Sequence, residues 1–369
     1  MLDSDGSEVD WFVGYGPPPE KFKDRVDLAL KGVDTFKSLA AKYAKDPDDI
    51  ATVFGLGRKY GSRFDRAKAA EFYNKVLALD PDGKKGTTDF EGENISFTQY
   101  AEFNLGYGVL ISRPPDPAPL LAFVKKYPDG KIVREAYDRL SSYYYMRPAS
   151  KEDAAKFYAE FTGRFPKDPL ALDAWMSRII ADQGPYELGV ELGQKAVALM
   201  ADSPRPRVLL SLARIYSFSG DKATAVETAE LAVKQAEGTD DAQRVVPSAA
   251  TIFISAGENE KALAAYGPAY AKAAWDSASL LLRYASFWSA QKDANRASAL
   301  EAARRATELQ PDLVPAWSVL SDLHLAVKDY TEALKAAEKA YEIAAPGRMK
   351  ESLQKKIEQI KKQSLEKRP

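Results

Sequence analysis

Residues 50–83 read IATVFGLGRKYGSRFDRAKAAEFYNKVLALDPDG. Small or apolar residues fall at Val53, Leu56, Gly57 and Tyr60, the i, i+3, i+4, i+7 spacing of one helix face. After a short turn the same signature returns at Ala69, Tyr73 and Val76, and Pro81 ends the second helix because proline cannot continue the hydrogen-bond ladder. Two helices of this size cannot bury both apolar faces against each other alone. The unit therefore requires neighbours built like itself.

Such neighbours recur along the chain. Leu105-Gly106 repeats Leu56-Gly57, with Leu120 to Tyr127 as the partner helix after Pro114-Pro115-Asp116-Pro117. Tyr137, Leu140, Ser141 and Tyr144 pair with Ala154, Phe157 and Phe161, and Asp173, Ser177 and Ile180 lead into Gly189, Gly193 and Ala196. The best copies are Leu209, Leu212, Ala213, Tyr216 with Ala225, Ala229, Ala232, and Val246, Ala249, Ala250, Phe253 with Ala262, Tyr266, Ala269. Two more follow, at Leu280 to Ala290 with Ala299, Ala303, Ala306, and at Trp317, Leu320, Ser321, His324 with Ala333, Ala337, Ala340. Small residues at each crossing let two backbones approach, and an aromatic ring fills the space above. Gly61, Gly220 and Gly257 stand where the first helix of a pair must end, and glycine takes a left-handed conformation there at little cost.

With its roughly 34-residue period, this pattern resembles the tetratricopeptide repeat (TPR). The resemblance implies an all-α fold. It would be a right-handed superhelical solenoid of eight helix pairs over residues 32–346, with a concave inner face and a capping helix at 347–369. The cap's apolar stripe is Leu353, Ile357 and Ile360, and lysines cover the rest. Residues 82–98, rich in Gly, Lys, Asp and Glu, read as a long surface loop, with a glycosylation sequon at Asn94.

Residues 1–31 differ from the repeats. An Asp5-Gly6 turn signal precedes Val9, Trp11 and Val13, which alternate with polar neighbours as in a half-buried strand. Gly14 to Pro19 reads as a loop, and Phe22, Val26 and Leu30 as the apolar face of a helix opened by Pro19 and Glu20. The order of elements, with Asp5-Gly6, Glu8-Val9-Asp10 and Val13-Gly14-Tyr15, resembles the closing segment of a thioredoxin-fold domain. That resemblance implies a chain cut inside such a domain, its redox motif lying upstream. The same order also fits an ordinary hairpin and capping helix. An open strand edge at Val9 to Val13 would promote a homodimer through strand pairing. Val33, Phe36, Leu39, Ala40 and Tyr43 form a lead-in helix.

Composition narrows the function. The 369 residues are 45% hydrophobic and 28% charged, enough for a large core. Basic and acidic side chains number 52 and 53, which argues against a general nucleic-acid binder. No apolar run is long enough to span a bilayer. The sequence has no cysteine, so this chain has no thiolate chemistry, and its one histidine, His324, occupies the core slot that Tyr60 and Tyr216 fill elsewhere. Gly55, Gly57 and Gly61 resemble a phosphate loop only faintly, because no strand precedes them. The chain reads as a non-enzyme that needs no cofactor or metal.

Aligning the repeats singles out a set of candidate binding residues. In TPR proteins the residue after the small slot faces the groove. Here that residue is Arg58, Arg178 or Arg214, with Phe54, Trp175 and Phe218 as aromatic neighbours. These would offer guanidinium forks and ring surface to an extended acidic or carboxylate-ended peptide. The alternative is that each arginine pairs with a nearby acid. Phe54 and Arg58 stand where the Lys and Asn of a carboxylate clamp would sit, so the family's chaperone-tail mode is not supported. The expected function is a protein-interaction scaffold binding a protein or peptide. The other reading is a substrate-presenting part of a thioredoxin-like oxidoreductase. A third reading, a cell-envelope assembly factor, rests on the Lys-Lys-Tyr-Pro and Gly-Arg-Phe-Pro helix ends at 125–128 and 163–166, which resemble those of envelope TPR lipoproteins. The joining of TPR arrays to thioredoxin-like modules points to an exported or periplasmic bacterial protein, with cytoplasmic as the alternative.

Overall fold

The computed structural model describes residues 1–11, 19–146, 150–200, 203–291 and 295–365. The chain divides into two compact units, Met1–Phe161 and Thr162–Pro369. The first holds α1 (Pro19–Leu30), α2 (Phe36–Lys45), α3 (Ile50–Ser62), α4 (Arg66–Leu79), β1 (Thr87–Phe90), β2 (Glu93–Ser96), α5 (Phe97–Leu110), α6 (Ala118–Lys126), α7 (Lys131–Met146) and most of α8 (Lys151–Arg164). The second holds α9 (Pro169–Asp182), α10 (Tyr186–Leu199), α11 (Pro206–Ser219), α12 (Lys222–Ala236), α13 (Ala242–Ala256), α14 (Asn259–Tyr266), α15 (Pro268–Ala273), α16 (Ala278–Ser289), α17 (Arg296–Leu309), α18 (Val314–Ala326), α19 (Tyr330–Ile343) and α20 (Arg348–Leu365). The fold is all-α, built of helix pairs with one small sheet among the described residues.

The pairs are started by a repeated local device. Asp65, Asp221 and Asp329 accept the amides of Lys68, Thr224 and Glu332, and so satisfy a first-turn N–H that the helix leaves open. The backbone before α4, α12 and α19 is nearly superimposable, with φ of -80, -79 and -84° at these three residues. Gly220 and Gly257 stop α11 and α13 in the left-handed region. Gly61 does not play that role: it lies inside α3, and Phe64 carries the positive φ instead.

Within the second unit each first helix packs on its partner and on the next first helix, so α9, α11, α13, α16 and α18 are successive neighbours. Alanine makes the seams: Ala225, Ala229 and Ala232 are fully buried, as are Ala299, Ala302, Ala303 and Ala306. Trp288, Tyr266, Tyr284 and Phe253 fill the core above them, and the Trp288 indole donates to the Tyr266 carbonyl at 2.7 Å. His324 is buried in α18, with Nδ1 3.4 Å from Asp329. Leu353, Ile357 and Ile360 of α20 are buried, the latter two against Ala333 and Ala337.

Several expectations are corrected. Residues 82–98 are not a long loop: β1 and β2 pair antiparallel, joined by Glu91 and Gly92, both at positive φ. Asp80, buried beneath this hairpin, accepts the amides of Lys84 and Lys85. The second helix of the α13 pair is broken between Tyr266 and Pro268, because proline supplies no amide to continue it. Ala269 is consequently exposed, and Ala271 and Ala274 take the buried places. In α1 the buried residue is Ala29, while Leu30 faces solvent. Among the described residues 1–11 the only pairing is a Leu2–Glu8 bridge, and Val9 to Trp11 form no strand. Val13 and the loop from Gly14 lie outside the described residues. Asp10 is instead ion-paired to Lys59 of α3, and Glu8 to Arg63, the residue that caps the end of that helix.

Candidate binding groove

The six residues singled out from the repeat alignment do not gather in one place. Arg178 is buried on α9, and its Nε donates to Asp182 at 2.6 Å, so it is held as a structural ion pair and does not face a groove. Trp175 packs on the Leu172, Met176 and Ile179 cluster. Phe218 is half-exposed near the end of α11, its ring 5.9 Å from Tyr186. In the first unit Phe54 is buried and stacked on Phe97 at 4.1 Å, so it is core rather than contact surface. Arg58 is exposed, 5.9 and 5.7 Å from the Phe54 and Tyr100 ring centres, and it borders a cavity of about 790 Å³ that Trp11 and Leu28 also line.

Arg214 does face a groove, and there it has company. A concavity of about 820 Å³ runs across α9, α11, α13 and α16. Its basic groups are Arg207 and Arg214 on α11, Arg244 on α13 and Arg283 on α16. Arg207 and Arg214 lie two turns apart on one face of α11, with Leu210 and Ser211 between them. Pro247 sits inside α13 on the groove side and removes one backbone donor there. The rings of Tyr266 and Phe287 and the side chain of Leu282 supply apolar wall. All four arginines are exposed, and none forms an ion pair among the described residues. Lysines on the outer helices behave differently: Lys261 pairs with Glu230, and Lys335 with Glu332.

One carboxylate, Asp173 of α9, shares the groove with these four guanidinium groups. Its Oδ1 is shut off from solvent and has no hydrogen-bond partner. Burial pushes its carboxyl above the ordinary range, and Ser211 and Arg207 partly offset this. With the carboxylate ionised, the groove still carries a clear positive excess in a chain whose formal net charge is -1.

The difference between Arg178 and Arg214 comes from one residue of helical phase. In α11 the small slot is Ala213, so the next residue, Arg214, points outward. In α9 that slot is filled by Met176, fully buried, with Leu172 and Ile179 in phase with it. Ser177 then faces the groove and Arg178 turns inward. Met176 fits because Gly193 lies opposite: a Cβ there would come within 2.9 Å of the Met176 sulfur and 2.5 Å of Leu212 Cδ1. Arg207 and Arg244, missed from sequence, were marked by a shared position, since each stands six residues before its small slot, Ala213 or Ala250.

Comparison with known proteins adds the following. The tetratricopeptide repeat family profile matches residues 206–238 and 314–346. Among curated proteins none matches the chain. A tetratricopeptide repeat protein from Parabacteroides merdae is similar at 14% identity over 84% of this chain and 98% of that one, with a TM-score of 0.46. Yeast Tom70 is similar at 16% identity, TM-score 0.48, over 81% of this chain and 60% of that one. YrrB, described as a TPR protein with an unusual peptide-binding site, is similar at 14% identity, TM-score 0.35, over 54% and 97%. The helix pairs α11–α12 and α18–α19 are thus the parts of the chain that match the tetratricopeptide repeat, and they stand within an all-α array of paired helices.

Proposed function

We propose that the chain is a protein-interaction scaffold whose second unit binds an extended acidic segment of a partner protein in the groove across α9, α11, α13 and α16. The observation that carries this reading is the set of four exposed arginines, unpaired among the described residues, on three successive first helices. An exposed guanidinium–carboxylate pair contributes about 0–1 kcal/mol, so four together supply useful affinity only to a ligand that meets several at once. Neighbouring helices pack roughly 8–10 Å apart, so the groove spans on the order of 25–30 Å. That length suits roughly eight residues of extended chain at about 3.3 Å each. The apolar wall of Leu282 and Phe287 favours a peptide over a small anion.

Fluorescence anisotropy with a labelled eight-residue Glu-rich peptide containing one Leu tests the reading. The paired substitution Arg207→Glu and Arg244→Glu is expected to weaken binding at least tenfold, because each exchange turns an attraction into a repulsion. Arg58→Glu, in the first unit, should leave affinity unchanged. Equal affinity of the double variant and the unaltered protein would overturn the assignment. So would tighter binding of a single-stranded oligonucleotide than of the peptide.

A further inference from the structure

An acidic ligand leaves Asp173 unexplained. A groove built only to attract carboxylates gains nothing from a carboxylate of its own. The other deeply placed acid of α9, Asp182, is neutralised by Arg178 at 2.6 Å. Asp173 is treated differently. Arg207 acts on it through charge but forms no ion pair with it among the described residues, and the Ser211 hydroxyl beside it, which partly stabilises the carboxylate, also donates to the Arg207 carbonyl at 3.1 Å. Its Oδ1 is left without a donor. Leaving such an oxygen unsatisfied costs on the order of 1–3 kcal/mol, a cost that folding alone does not require at a groove position. A desolvated carboxylate also acts on nearby charges at closer to full strength than an exposed one, since less water screens it.

We propose that Asp173 gives the groove a polarity: the α9 end rejects acidic ligand residues and accepts a basic one, while Arg214, Arg244 and Arg283 take acidic residues toward α16. This rests on the acidic-segment reading and deepens it. The ligand class is an extended peptide with a lysine or arginine at one end of an acidic run. Arg207, beside Asp173, stands at the transition between the two regions.

The test uses two peptides of identical composition with blocked termini, one with Lys before six Glu residues and one with Lys after them, and the full chain. Net charge is the same in both, so only the order of charges can separate them. The intact protein is expected to prefer one order by about tenfold. In Asp173→Asn, which keeps the shape and removes the charge, the two affinities should converge, mainly because the disfavoured peptide binds more tightly. Equal affinities in the intact protein would overturn the polarity, as would a preference that survives in Asp173→Asn. Failure of both peptides to bind would overturn the groove reading itself, and the polarity with it.

Discussion

Asp173 is where a single side chain sets measurable behaviour. Burial raises its carboxyl above the ordinary value of 3.8 in the folded chain, while the unfolded chain keeps the ordinary value. The folded state therefore binds this proton more readily than the unfolded state does. Below the ordinary value the residue costs nothing. As pH rises from the ordinary value toward the raised folded value, a destabilising contribution develops, and it is complete once pH exceeds the folded value. Asp173→Asn should therefore stabilise the second unit at pH 7.5, and the gain should shrink as pH is lowered toward 4.5. Thermal melts of the two proteins across that range check it. A gain that is constant with pH would mean the carboxyl is ordinary. The same residue shows what sequence leaves unread. Asp173 lies in phase with groove residues of α9, yet nothing in its letter or spacing says that the oxygen would be buried without a donor.

Elements were legible where the apolar pattern was strong and misread where one residue broke the phase. The stripe Val53, Leu56, Gly57 placed α3, and Leu209, Leu212, Ala213 placed α11 with Arg214 outward. The hairpin of β1 and β2 was hidden because its strands are four residues each, too short to show alternation, and its turn uses Glu91-Gly92. The α14–α15 break stood in the sequence as Gly267-Pro268, but the alanine spacing on either side masked it. In α9 the position expected to be small holds Met176, which shifted the reading by one residue and put Arg178 in the wrong place. That shift is accommodated by α10, and it makes a prediction about helix packing. Gly193→Ala would drive a methyl into the Leu212 and Met176 side chains and should cost about 1–3 kcal/mol. Gly163→Ala, exposed in α8 with nothing within 4 Å, should instead stabilise by about 0.5–1 kcal/mol through helix propensity. Urea unfolding followed by circular dichroism distinguishes them, and a neutral Gly193→Ala would show that the seam has slack.

The whole chain is close to electroneutral, so a binding site cannot be read from net charge and must be located by where unpaired charge collects. Two places qualify. In the first unit Arg25, Lys42, Arg58 and Lys59 line a cavity together with Asp10, Asp34 and Asp49, and Lys59 is paired with Asp10 at 2.5 Å. In the second unit four arginines meet one acid. The excess of positive charge that one extended ligand can reach favours the second: a single exposed pair is worth about 1 kcal/mol at most, whereas several uncompensated charges along one peptide reinforce one another. Repeat arrays open locally, and a ligand that spans consecutive repeats stabilises those it touches. Hydrogen exchange followed by mass spectrometry, with the Glu-rich peptide at saturating concentration, should therefore slow amides in α9, α11, α13 and α16 while α3 to α5 exchange as before. Raising salt from about 0.05 to 0.5 M should abolish that slowing, because screening shortens to a few ångströms and the arginines are exposed. Protection confined to α3 and its neighbours would move the site to Arg58. Protection that persists at high salt would show that apolar wall rather than guanidinium charge holds the ligand.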